Sequence, residues 1–167
     1  MSYGNLGNVY NRQGQYERAL ENHQKALEIF IKVSGQDHPD VAASYTNIGV
    51  VYYRQGQYER ALEYYQKALE INIKVSGQDN PDVAASYNNI ANIYDDQGKY
   101  EEALEMHTKS LDIKTRMYGV NNHLDVAASY MGLGIVYESL GKYEEALEMY
   151  TKSFDIQTRV HGSDNHP

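Results

Sequence analysis

Apolar residues recur along this chain at helical spacing, in two alternating patterns punctuated by single glycines. In "DVAASYTNIGVVYYRQG", Val41, Tyr45, Ile48 and Tyr52 fall at intervals of four, three and four, the stripe of an amphipathic helix. The turn "DHPD" opens it: Asp37 or His38 can cap, and Pro39 suits a first turn whose N–H has no partner to lose. Asn80 and Pro81 are placed in the same way one repeat on. Asp40 adds negative charge at the positive end of the helix dipole, and Gly56 stops the helix in the left-handed region. The second pattern, "QYERALEYYQKALEINIKVSG", sets Tyr58, Leu62, Tyr65, Leu69 and Ile73 on one stripe with Ala61 and Ala68 beside it. It predicts a longer helix from Gln57 to Ser76, about 28 Å at the helical rise. We call the first helix A and the second helix B.

The pair is written four times. Tyr10, Tyr52, Tyr94 and Tyr137 fall in register, as do Gly14, Gly56, Gly98 and Gly141, at steps of 42, 42 and 43. The extra residue lies between Gly119 and Asp125, in a turn, where chain length is least constrained. The register predicts repeats at 1–35, with helix A truncated, then 36–77, 78–119 and 120–162, with 163–167 opening a further repeat, all in a single solenoid domain. Met1 stands directly before a register already inside helix A, so the sequence reads as a piece of a longer array. Each repeat in such an array buries its apolar face on the next. Leu147, Tyr150, Phe154 and Val160 would then lack cover, and a head-to-tail homo-oligomer through the uncapped ends is expected.

The order Tyr45, Ile48-Gly49, Tyr52, Ala61, Tyr65, Ala68 resembles the tetratricopeptide repeat signature, and all four repeats follow it. There are two departures. The proline that follows helix B in the common 34-residue repeat is here Ile31, Ile73, Thr115 or Thr158, and Ala91 replaces the glycine of the third repeat. Without the proline, helix B extends by about two turns, which accounts for the greater repeat length. "G-x-D-H-P-D-V-A" before an Asn-rich helix A is similar to the 42-residue subclass of kinesin light chains. The resemblance spans essentially the whole chain. It implies an all-α fold, a right-handed α-solenoid superhelix whose concave groove is lined by helix A, and a non-enzymatic protein–protein interaction scaffold. It also implies that Asn47 and Asn89 contact the backbone of a bound peptide.

Composition narrows the partners. Fifteen Lys and Arg against 23 Asp and Glu leave a net charge of −8, which opposes binding to a phosphate backbone. With no cysteine, neither a disulfide framework nor a thiolate zinc site is available. No apolar run approaches the ~18 residues of a membrane span, and no signal-peptide pattern opens the chain. A cytoplasmic protein with no nucleic-acid and no membrane partner is expected.

Candidate chemistry resolves mostly into architecture. "GLGIVYESLG" from Gly132 lies mid-helix, whereas a phosphate loop needs a preceding strand and a free helix N-terminus. Gly7, Gly49 and Gly134 each cost helix A about 1 kcal/mol against alanine. A close approach by Ala19, Ala61, Ala103 and Ala146 of helix B is expected to compensate. His23 and His107 stand where other repeats have Tyr65 and Tyr150, a packing position, and no histidine pair has a helical metal spacing. Ser44, Ser86 and Ser129 recur once per repeat, as structural residues do, and Glu59, Arg60, Glu63, Lys67 and Glu70 read as a solvated face. No catalytic residue, metal or cofactor is expected.

What varies between repeats on the inner side of helix A is the candidate binding surface: Asn8 and Arg12, then Asn47, Tyr53 and Arg54, then Asn88, Asn89, Asn92, Asp95 and Asp96, then Met131 and Glu138. Asn amides can pair with an extended backbone, and arginine forks onto carboxylates. The expected ligand is a protein or peptide segment. The alternative is a structural spacer or self-assembly module that associates by end-to-end repeat stacking.

Overall fold

Each of the last three helices A begins at a side-chain cap. Asn80 Oδ1 accepts the Asp82 N–H at 2.8 Å, while His38 Nδ1 and His123 Nδ1 accept those of Asp40 and Asp125, both at 3.2 Å. An imidazole nitrogen thus fills the place of an asparagine carbonyl. Asp37, the other cap considered, pairs instead with Lys74 near the far end of the same repeat.

The computed structural model describes residues 2–120 and 123–163, and no strand occurs among them. The helices are α1 (Tyr3–Arg12), α2 (Tyr16–Ser34), α3 (Pro39–Arg54), α4 (Tyr58–Ser76), α5 (Pro81–Asp96), α6 (Tyr100–Tyr118), α7 (Leu124–Ser139) and α8 (Tyr143–Ser163). Odd numbers are helices A and even numbers helices B. Asn121 and Asn122, in the lengthened turn, lie outside the described residues, as do 164–167 of the expected further repeat. Without proline, α2, α4 and α6 each run 19 residues, unbroken through Ile31, Ile73 and Thr115.

A tight turn joins each A to its B. Gly56 adopts φ +71°, which only glycine takes without strain, so the Gln57 N–H reaches Tyr52 O at 2.9 Å and the Gly56 N–H reaches Tyr53 O at 2.9 Å. The same long bond recurs from Gln15 to Tyr10, Lys99 to Tyr94 and Lys142 to Tyr137. So short a link makes the two helices antiparallel neighbours.

The chain forms two compact units, residues 1–77 and 78–167. In the first, α1 packs on α2, α2 on α3 and α3 on α4, and α1 also touches α3. Its core holds Val41, Ile48 and Val51 of α3 against Ala61, Tyr65 and Ala68 of α4. Leu62, Leu69 and Ile73 are only half-buried, so the alanine side of helix B makes the tight contact. The second unit repeats the order with α5 to α8, around Leu111, Val126, Ala127, Leu133 and Ile156.

The glycines of helix A have a different partner from the alanines expected. A Cβ at Gly49 would lie 2.7 Å from Tyr65 Cε1, one at Gly7 2.6 Å from His23 Cε1, and one at Gly134 2.5 Å from Tyr150 Cε1. Ala61 lies one turn before Tyr65 on the same face of α4, and the longer ring fills the space first. The glycine accommodates an aromatic side chain, which is why both recur together.

Two repeated details engage further polar groups. The Ser44, Ser86 and Ser129 hydroxyls donate to the carbonyls of Asp40, Asp82 and Asp125 at 2.8, 2.8 and 3.0 Å. On the outer side, Lys67, Lys109 and Lys152 each bond a glutamate one turn earlier at 2.6 Å. Each also lies within 6 Å of a helix A tyrosine ring: Tyr45, Tyr87 and Tyr130 respectively. The face read as solvated therefore also ties B to A.

Candidate functional site

In the first unit, Asn8 and Arg12 are exposed on α1, and Asn47 and Tyr53 are half-buried on α3. Arg54 is exposed, yet its Nη1 reaches the Asn11 carbonyl at 3.5 Å, which brings it to the end of α1 beside Arg12. Arg12 and Arg54, both candidate groove residues, are thereby drawn towards one place, with Arg54 partly used in joining α3 to α1. Tyr53 packs at a tilt on Tyr58, with ring centroids 6.0 Å apart. Burial, with Tyr53 as a lesser cause, pushes the Tyr65 phenol well above its usual range, so it remains neutral.

In the second unit, Asn88 Oδ1 accepts from His107 Nδ1 at 2.9 Å. Burial, and secondarily the Lys114 charge, press the His107 pKa down to about 4, so at neutral pH the ring is uncharged and donates through Nδ1–H. Asn88 and Asn89 line a cleft of about 340 Å³ together with Pro81, Asp82, Ala85, Lys114, Tyr118 and Asp125. Asn92, Asp96 and Met131 are exposed. Asp95 is half-buried, and burial and then the neighbouring Asp96 hold its carboxyl above the usual range. Glu138 accepts the Tyr150 hydroxyl at 2.8 Å, fastening α8 to α7.

Sequence reasoning confined the site to helix A and missed Lys114 and Tyr118 of α6 and the carboxylates Asp82 and Asp125. Lys114 carried a signal: other repeats have Phe30, Asn72 and Gln157 at its place. Its Nζ donates to the neutral Ser129 hydroxyl at 2.9 Å. Burial lowers its pKa, and Asp125 offsets part of that effect.

The Lys114 shift fixes the sign of a pH effect. A folded pKa below the unfolded value means that the folded chain holds this proton less tightly. Stability is therefore least below the folded pKa and grows as pH rises through it towards the unfolded value. Lys114→Met keeps the apolar stem and removes the charge. We expect it to raise stability near neutral pH by about 0.5 kcal/mol, after allowance for screening by solvent in the cleft, and to flatten the alkaline rise. Urea titrations at pH 7 and pH 10 check this; a less stable variant would show that the Ser129 hydrogen bond outweighs desolvation.

The first unit offers amide and guanidinium groups on its helix A faces, and the second offers amides, carboxylates and a cleft with one amine at its side. Among the described residues, no helix is long and apolar enough to cross a membrane. The tetratricopeptide repeat family model matches residues 1–74, 47–116 and 82–159. No curated protein matches the chain by sequence search. Among solved structures, BtubC (BKLC) from P. vanneervenii superposes with a TM-score of 0.87 at 27% identity, over 99% of this chain and 65% of that one. The chain thus spans just under two thirds of that protein. A Podosopora anserina protein of nearly identical, kinesin light chain-type TPR-like repeats gives a TM-score of 0.63 at 21% identity, over 95% of this chain and 94% of that one. RapI in its apo form gives 0.80 at 22% identity, over 96% of this chain and 56% of that one. Over the matched lengths these structures share the helical-repeat fold of this chain.

Proposed function

The chain belongs to the tetratricopeptide repeat family, whose repeats generally serve as protein–protein interaction scaffolds, and from that premise we propose that its helix A faces bind an extended segment of a protein partner. The observation that carries this reading is the cleft lined by Asn88 and Asn89. Asn88 already receives one hydrogen bond, but its NH₂ and both functions of the Asn89 amide suit the alternating donors and acceptors of a peptide backbone. Charge on each unit sets the side chains preferred: an acidic residue near Arg12 and Arg54 on the first, a basic one near Asp95 and Asp96 on the second. The role is non-enzymatic, with the recurrent serines bonded to carbonyls of their own helices and the buried histidines packed between helices.

Affinity is expected in the micromolar range, about 8 kcal/mol, and to fall with salt. A peptide-array screen followed by fluorescence anisotropy on the captured peptides tests it. Asn89→Ala and Arg12→Ala should each weaken binding about tenfold, or about 1.4 kcal/mol. Arg12 is a cleaner probe than Arg54, which also bonds the Asn11 carbonyl. Unchanged affinity in both variants disposes of the reading.

A second reading has its own observation. Tyr143, Leu147 and Phe154 of α8 are 70%, 67% and 67% exposed, whereas their α6 counterparts Tyr100, Leu104 and Leu111 are half-buried or buried. This bare stripe supports end-to-end stacking on a helix A of a further repeat or a second copy. Light scattering that reports a monomer at every concentration would reject association between copies.

A further inference from the structure

Lys114 differs chemically from the lysines that pair with carboxylates and from Lys25 and Lys99, which lie over the Tyr3 and Tyr94 rings. Lys67, Lys109 and Lys152 are each bound to a glutamate, and Lys74 to Asp37. A carboxylate in hydrogen-bond contact holds an amine in its protonated, non-nucleophilic form; Lys67 and Lys152 have raised pKa values for that reason. Lys114 instead meets a hydroxyl, and its Nζ lies beside an open cleft of about 340 Å³, room enough for a small reagent to reach it. The charged or titratable groups around it are Asp82 from α5, Asp125 from α7, and His107 and Tyr118 on its own helix. Desolvation is the largest influence on its pKa and acts downward.

We propose that Lys114 is a modification site, a preferred acceptor of small acyl groups from activated acyl donors, and that its acylation leaves the cleft's carboxylates, Asp82 and Asp125, without the amine beside them. In the step, the Nζ lone pair attacks the acyl carbonyl carbon and a C–N bond forms. The bond from that carbon to the leaving group breaks, phosphate departs with the electron pair from an acyl phosphate, or thiolate from an acyl thioester, and the displaced Nζ proton passes to water. The amide N–H that remains can still donate to Ser129. One positive charge is lost beside Asp82 and Asp125, so acylation makes an already acidic cleft more acidic.

The test uses the full chain, acetyl phosphate and acetyl-coenzyme A in separate arms, and site-by-site quantification by mass spectrometry. At pH 7.5 the initial rate at Lys114 should exceed the median of the other lysines at least about threefold, since the neutral fraction of an amine grows as its pKa falls. Its rate should also level off at lower pH than the rates at Lys67 and Lys152. Asp125→Asn removes the carboxylate that favours the charged form and should shift the Lys114 curve further down in pH. Preferential labelling by either donor supports the proposal. A Lys114 rate at or below the median with both donors, or labelling that appears only in urea, overturns it. None of these readouts involves peptide binding, so the result stands apart from the fate of the scaffold reading.

Discussion

Gly49→Ala is expected to destabilise the first unit by about 2 kcal/mol, although alanine is the better helix former. The added methyl would lie 2.7 and 2.8 Å from Cε1 and Cδ1 of Tyr65. That ring is 3% exposed and packed within the core of its hairpin, so it has nowhere to swing. Overpacking of this kind costs about 3 kcal/mol at the upper end of its common range, against a gain of about 1 kcal/mol in helix propensity. Gly134→Ala is the internal control. Its methyl would come as close, 2.5 Å from Tyr150 Cε1, but Tyr150 is half-exposed and can turn outwards, giving up its bond to Glu138. Urea denaturation should show a clear loss for Gly49→Ala and a much smaller one for Gly134→Ala; equal losses would mean that ring confinement is not the cause. Carrying over the third repeat's set, Thr46→Asn with Gly49→Ala and Tyr65→His, should recover most of the stability.

His107→Phe tests the same relation from the other side, with an expected loss of about 2 kcal/mol. It removes the Nδ1–H bond to Asn88, worth about 1 kcal/mol, and puts a larger ring where this repeat carries Ala91 in place of glycine. Ala91→Gly in the same chain should return the steric part. The variant also alters the acid limb. His107 has a folded pKa of about 4, below its ordinary value of 6.5. The stability it contributes is therefore complete above 6.5, falls as pH drops from there towards 4, and changes no further below. Thermal melts across that window should show a shallower decline in His107→Phe. His23, also lowered by burial, supplies the remaining slope.

Much of this was legible in the residues. Periodicity and punctuation placed the A–B alternation, and the missing proline foretold the length of helix B. The shared place of His23, Tyr65, His107 and Tyr150 marked an aromatic packing position. The partner of the glycines was not legible, because Ala61 and Tyr65 share one face of α4 and spacing cannot say which of them reaches α3. Lys114 was not legible as a cleft residue because it lies near the end of helix B, from which a long side chain enters the cleft that helix A residues line. Variation between repeats also could not separate surface from fastening: Arg54 and Glu138 vary as ligand contacts would, yet each makes a bond inside its own unit.

The A–B turns bear on time as well as on structure. Each joins two helices through three residues, so the loop entropy lost in bringing them together is small. Within each unit, every helix packs chiefly on its neighbours in sequence. Chains whose contacts are this local fold in about microseconds to milliseconds, and any hairpin can serve as the nucleus from which its neighbours grow. A mutation in one turn should then redirect the order of assembly, starting it elsewhere, more than it slows the whole.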